Sequence, residues 1–112
     1  MSRIIEVTKE TFQQEVIEST MPVLVDFYTD NCSPCIALAH MLEELSEEYA
    51  GKVQITKFHV STDEVLANSN EVMNKYDVMG FPTILILKNG EVLNSLLGGQ
   101  TMSALREVLE AV

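Results

Sequence analysis

The chain is poor in positive charge. Seven Lys and Arg stand against 17 Asp and Glu, for a formal net charge of −10 in 112 residues. Phosphate recognition needs a basic patch, and anionic lipid attracts polybasic segments, so neither nucleic acid nor a membrane surface is an expected partner. Tryptophan is absent, and two cysteines are too few for a disulfide-rich scaffold. Long apolar runs are missing as well: Val23–Val25 and Ile84–Leu87 fall far short of a membrane span. Glu6 breaks the apolar run of the N-terminal segment, which has one basic residue and does not read as a secretory signal. A soluble, cytoplasmic protein is the expectation, although an exported protein without its signal would look the same. No repeat, low-complexity tract or linker divides the sequence, so a single domain over residues 1–112 is expected. With 46% apolar and 21% charged residues, the composition is that of a globular domain.

The apolar patterning predicts alternating strands and helices. Ile4–Val7 reads as a strand, and a helix from about Lys9 to Ser19 follows, with Phe12, Val16 and Ile17 on its apolar side. Met21–Tyr28 is a continuous apolar run broken only by Asp26, suited to a central strand covered on both faces. Ser33 as N-cap and Pro34 at the first helical position then predict a long helix, with Leu38, Leu42, Leu45 and Tyr49 on one face and Gly51 as its stop. Val53–Val60 is the next strand. Ser61 and Glu64 form a capping box for a helix to about Tyr76, which the Asn68-Ser69-Asn70 stretch can break. Thr83–Lys88 and Glu91–Leu97 make a hairpin about Asn89-Gly90, and Thr101–Val112 closes the chain as a helix. This β-α-β-α-β-α-β-β-α order implies an α/β fold: a mixed central sheet, three parallel strands and an antiparallel hairpin, with helices on both faces.

Chemistry in such sheets collects beyond the strand ends, where Cys32-Ser33-Pro34-Cys35 lies. Two cysteines at this spacing can close a disulfide at a helix start. Only a thiolate attacks a disulfide, and the unpaired N–H groups and partial positive charge of a helix N-terminus favour the thiolate. Cys32, outside the first turn, is the candidate nucleophile, and Cys35, inside it, the candidate resolving thiol. A buried inert pair and half of a zinc site remain alternatives. The only histidines, His40 and His59, lack finger-like spacing and read as ordinary surface or core residues.

Taken together, Asp26-Phe27, Cys32-Ser33-Pro34-Cys35, Lys57, Phe81-Pro82-Thr83 and Lys88-Asn89-Gly90 resemble the thioredoxin family, in one order along the whole chain. The resemblance implies the thioredoxin fold, with five strands and four flanking helices, and a thiol–disulfide oxidoreductase that reduces protein disulfides through Cys32 and Cys35. It implies a cis bond before Pro82, leaving the Phe81 backbone free to pair with an extended substrate, where the sequence alone also allows a trans proline opening a strand. It implies a buried Asp26 that accepts a proton from Cys35, where a surface aspartate is the alternative, and a nearby Lys57, which reads equally as a solvated lysine. No cofactor beyond the disulfide is expected. Disulfide-containing client proteins, a thioredoxin-reductase-like flavoprotein as electron donor and a monomeric state complete the expectation. A redox-inactive binding module on the same fold is the competing reading.

Several positions depart from the family pattern. Asn31 and Tyr28 stand where tryptophan is common, Ser33 where glycine is, Ile36 where a basic residue is and His40 where a helix-kinking proline is. Asp30 adds a negative charge near Cys32 that opposes the thiolate. Tyr28, Asn31, Ser33, Pro34, Ile36, Met79, Phe81 and Gly98 are the expected substrate-contacting surround, apolar and low in charge. Glu43, Glu44, Glu47 and Glu48 are expected to place acidity away from the cysteines.

Overall fold

The computed structural model describes residues 3–112. Its strands are β1 (Ile5–Val7), β2 (Val23–Tyr28), β3 (Gln54–His59), β4 (Thr83–Lys88) and β5 (Glu91–Leu97). They form one sheet in the order β1-β3-β2-β4-β5. β1 and β2 run parallel to β3, while β4 pairs antiparallel with both β2 and β5. The parallel strands and the antiparallel hairpin are those the patterning predicts. At the hairpin turn Asn89 and Gly90 both have positive φ (53° and 79°), which asparagine and glycine tolerate best.

The helices are α1 (Ser33–Glu48), α2 (Thr62–Ala67), α3 (Glu71–Lys75) and α4 (Met102–Glu110). The expected helix from Lys9 to Ser19 is instead a π-helical turn, Gln13–Ile17, closed by Glu18 N–H donating to the Gln13 carbonyl at 2.9 Å. The wider turn suits apolar residues at i, i+4 and i+5: Phe12 and Val16 are buried and Ile17 half-buried against the sheet. Asn68, in the left-handed region at φ 53°, ends α2, and the Asn70 side chain caps α3 by accepting from Met73 N–H at 2.9 Å. The Asn68–Asn70 stretch therefore divides the third predicted helix in two.

Alternate residues of the central strands feed two cores. Val23, Val25, Phe27, Leu85 and Leu87 pack with Phe12, Val16 and Met73. Leu24, Ile84 and Ile86 face α1 and α4 through Leu38, Leu42, Leu45, Leu105 and Leu109. Fully burying each such leucine is worth about 1.5–3 kcal/mol, as an upper value. β2 thus lies at the centre of a covered sheet, and its C-terminal end delivers the chain to the cysteine pair.

Candidate active site

Between β2 and α1 the backbone passes through Asn31, at φ 52°, and reaches Cys32 in an extended conformation. Cys32 and Cys35 are joined in a disulfide. The Cys35 backbone N–H donates to Cys32 Sγ at 3.2 Å, and Ile36 N–H donates to the Cys32 carbonyl at 3.1 Å. Cys32, not the expected Ser33, is therefore the N-cap of α1. The helix begins one residue early because the cysteine sulfur takes the place a serine oxygen would fill. Ser33 becomes the first helical residue and Pro34 the second; both are exposed. The two sulfurs differ in access: Cys32 is half-buried, whereas Cys35 is 4% exposed.

Asp26 is fully buried on β2. It shares a sheet face with Leu24 and with its β4 partner Ile84, the face covered by α1, which carries Cys35. Neither carboxylate oxygen has a hydrogen-bond partner among the described residues. Burial pushes the Asp26 carboxyl up to about 7, against the attraction of Lys57 and with a smaller push from Glu6. Lys57 is the β3 residue in register with Asp26. Its ammonium lies 4.4 Å from the centroid of the Tyr28 ring. The Tyr28 hydroxyl donates to Glu6 Oε1 at 2.7 Å. Burial, and then the hydrogen bond to Glu6, raise the Tyr28 phenol above its ordinary value.

The Asp30 carboxylate is engaged by His59 and Thr62. Its Oδ1 lies 2.8 Å from His59 Nε2, and its Oδ2 accepts from Thr62 N–H at 3.0 Å. These bonds, His59 first, hold its carboxyl below the usual range. Among the described residues no group of three or more His, Cys, Asp or Glu side chains is gathered to hold a metal.

A cleft of about 290 Å³ opens beside the disulfide, walled by Tyr28, Asn31, Ile36, His40, Glu43 and Lys57. Glu43 brings acidity to this wall, contrary to the expectation that the α1 glutamates lie away from the cysteines; it is one turn beyond Ala39, which shares the wall, and so points to the same side. The Phe81–Pro82 bond is cis. Pro82 is buried, Phe81 half-buried, and the Pro82 carbonyl accepts from Gly98 N–H at 2.8 Å. Gly98 has φ +86°, and a Cβ on Gly99 would lie 4.0 Å from Pro34 Cβ, so the Gly98–Gly99 turn runs alongside the cysteine motif. Met79 does not share the cleft. It is 87% exposed beside Asn74 and Asp77, in a separate depression. Leu97, 63% exposed beside Gly80, is an apolar neighbour of this loop that the sequence reading passed over. Glu6 was also missed; its only signal was a carboxylate inside a short apolar strand.

The Thioredoxin family model matches residues 3–111. The chain is 36% identical over 110 residues to Thioredoxin 1 of Nostoc sp., covering 98% of this chain and 97% of that protein. It is 40% identical over 107 residues to Thioredoxin C-2 of Corynebacterium nephridii, covering 96% and 94%. It is 39% identical over 99 residues to a thioredoxin of Rickettsia felis, covering 88% and 89%. With a paired Cys32 and Cys35 at the start of a helix, these likenesses show that the chain belongs to the thioredoxin family and is a thiol–disulfide oxidoreductase.

Proposed function

We propose that residues 1–112 act as one domain that reduces client-protein disulfides, with Cys32 as the attacking thiol and Cys35 as the resolving one. The observation that carries this order is the asymmetry of the pair: Cys32 is accessible and accepts a first-turn amide of α1, whereas Cys35 is buried. The Cys32 thiolate attacks one sulfur of the client disulfide. A mixed disulfide forms and the other client sulfur leaves as a thiolate, which takes up a proton. Cys35 then loses its proton to Asp26 and attacks Cys32 Sγ. The second client thiolate is released, and the Cys32–Cys35 disulfide holds the oxidation. Two electrons have passed from the dithiol to the client.

A carboxyl titrating near 7 is matched to this proton transfer at neutral pH, and its place on the α1 face supports the role of Asp26. Lys57 tunes that carboxyl. Tyr28, Asn31, Ser33, Pro34, Phe81 and Gly98 form the client-binding surround, with Ile36, 61% exposed, as an apolar contact. Met79 is a peripheral contact at most, given its separate position. Pro82 positions the Phe81 backbone for an extended client segment. Electrons return from a thioredoxin-reductase-like flavoprotein, and no cofactor beyond the disulfide takes part. A dithiol reductant requires a reducing compartment, so this reading places the protein, as a monomer, in the cytoplasm.

Dithiothreitol-driven insulin reduction tests the activity, and client capture tests the order of attack. Cys35→Ser should retain mixed disulfides with clients and Cys32→Ser should not. The opposite pattern would reverse the two roles, and a folded wild-type protein without activity above background would favour the binding-module reading.

A further inference from the structure

Glu6 has no part in the mechanism above, yet it closes a polar network around the buried carboxylate. β1, β3 and β2 bring Glu6, Lys57 and Asp26 level with one another: Glu6 is in register with Lys57, and Lys57 with Asp26. Lys57 thus stands in register between two acidic residues, one exposed and one fully buried. Its ammonium is over the ring of Tyr28, 4.4 Å from the centroid. That ring is in turn tied at its hydroxyl to Glu6 Oε1 by a 2.7 Å bond. The edge-strand carboxylate therefore anchors the aromatic platform on which the lysine rests.

We propose that Glu6 is a positioning residue of the redox site: its carboxylate, fixed by the Tyr28 hydroxyl and in register with Lys57, competes with Asp26 for the lysine and so limits how strongly the lysine stabilises an ionised Asp26. The inference rests on the reading of Asp26 as the proton acceptor only for its catalytic consequence, not for its structural one. The groups that face Asp26 are Glu6 from β1, Lys57 from β3, Tyr28 from its own strand, the neutral Ile84 from β4 and, across the sheet face, α1 with Cys35. Glu6 and Lys57 are the charged pair among them, and they act with opposite sign. Removing the Glu6 charge withdraws a repulsion from Asp26 and releases a counter-attraction on the lysine. Both changes favour the carboxylate, so they move its titration in one direction.

The test is a carboxyl-carbon NMR titration of Asp26, with the pH–rate profile of insulin reduction measured in parallel. Glu6→Gln keeps an acceptor for the Tyr28 hydroxyl and removes the charge; the Asp26 midpoint is expected to fall below about 7. Glu6→Asp, which restores the charge, should return the midpoint toward the wild-type value. Glu91→Gln removes one carboxylate at the start of β5, two strands from Asp26, and should leave the midpoint unchanged. An unmoved midpoint in Glu6→Gln, or an equal fall in Glu91→Gln, would overturn the inference. A midpoint that falls without any displacement of the pH–rate profile would uphold the role of Glu6 and remove the proton-acceptor role of Asp26.

Discussion

The Cys35 backbone N–H donates to Cys32 Sγ over 3.2 Å, so the more accessible sulfur of the disulfide is also the cap of α1. One atom serves the helix and the chemistry. When the disulfide opens, the same first-turn amide and the helix N-terminus remain to favour the Cys32 thiolate. The Cys32 thiol in the reduced protein should therefore titrate below the value of about 8.5 for free cysteine. Thiolate absorbance, or the rate of alkylation against pH, gives that titration. A midpoint at or above the free value would show that the cap does not survive reduction.

Burial of Asp26 has a stability consequence whose sign is fixed. Its folded value of about 7 lies above the ordinary 3.8, so between these values the folded chain holds a proton that the unfolded chain has lost. Stability falls as pH rises through this window and stays lower above it. A tenfold change in an equilibrium is about 1.4 kcal/mol, so the ionised carboxylate costs on the order of 4 kcal/mol at pH well above 7. Asp26→Asn should be more stable than the wild type at pH 8 by up to that amount, with the advantage vanishing below pH 3.8. Urea unfolding across this range measures it.

Lys57 opposes the burial of Asp26. Lys57→Met should raise the Asp26 midpoint above about 7, and the limb of the pH–rate profile that Asp26 controls should move to higher pH with it. The carboxyl-carbon titration checks the first, the insulin assay the second. A lowered midpoint would contradict the assigned sign of the interaction.

The turn that joins β5 to α4 contains two adjacent glycines with different demands. Gly98 sits at φ +86° with no atom near an added Cβ, so its constraint is purely conformational. Gly98→Ala should destabilise the fold by about 1–2 kcal/mol. Gly99 is not at positive φ, and an added Cβ would only make normal contact with Pro34. Gly99→Ala should stay within about 0.5 kcal/mol of the wild type. Denaturant midpoints of the two variants should separate accordingly.

Local chemistry made most of the fold legible. Thr83–Lys88, Asn89-Gly90 and Glu91–Leu97 carry strand and turn preferences within a few residues of one another, and the hairpin has the expected bounds. The Ser61–Glu64 capping box also forms as read, with Ser61 Oγ accepting from Glu64 N–H at 3.2 Å. The misreadings lie where a local signal has two solutions. Ser33 and Cys32 can both cap the same helix, and the extended backbone at Cys32 decides for the sulfur. Phe12, Val16 and Ile17 fit an α-helix or a wider π turn, and packing on the sheet selects the turn.

From the sequence alone came the strand–helix order, the placement of Cys32 and Cys35 at a helix start, and an aspartate out of character in an apolar strand. These follow from patterns of 2 to 4 residues, which the chain carries in itself. Only the tertiary structure decided that Glu43 walls the cleft, that Met79 lies apart from it, and that Glu6, Lys57 and Asp26 stand side by side on three strands. Strand register here joins residues 31 and 51 positions apart, and no local pattern records it. The proton affinity of Asp26 depends on that register and on the cover of α1, so it is a property of the assembled sheet.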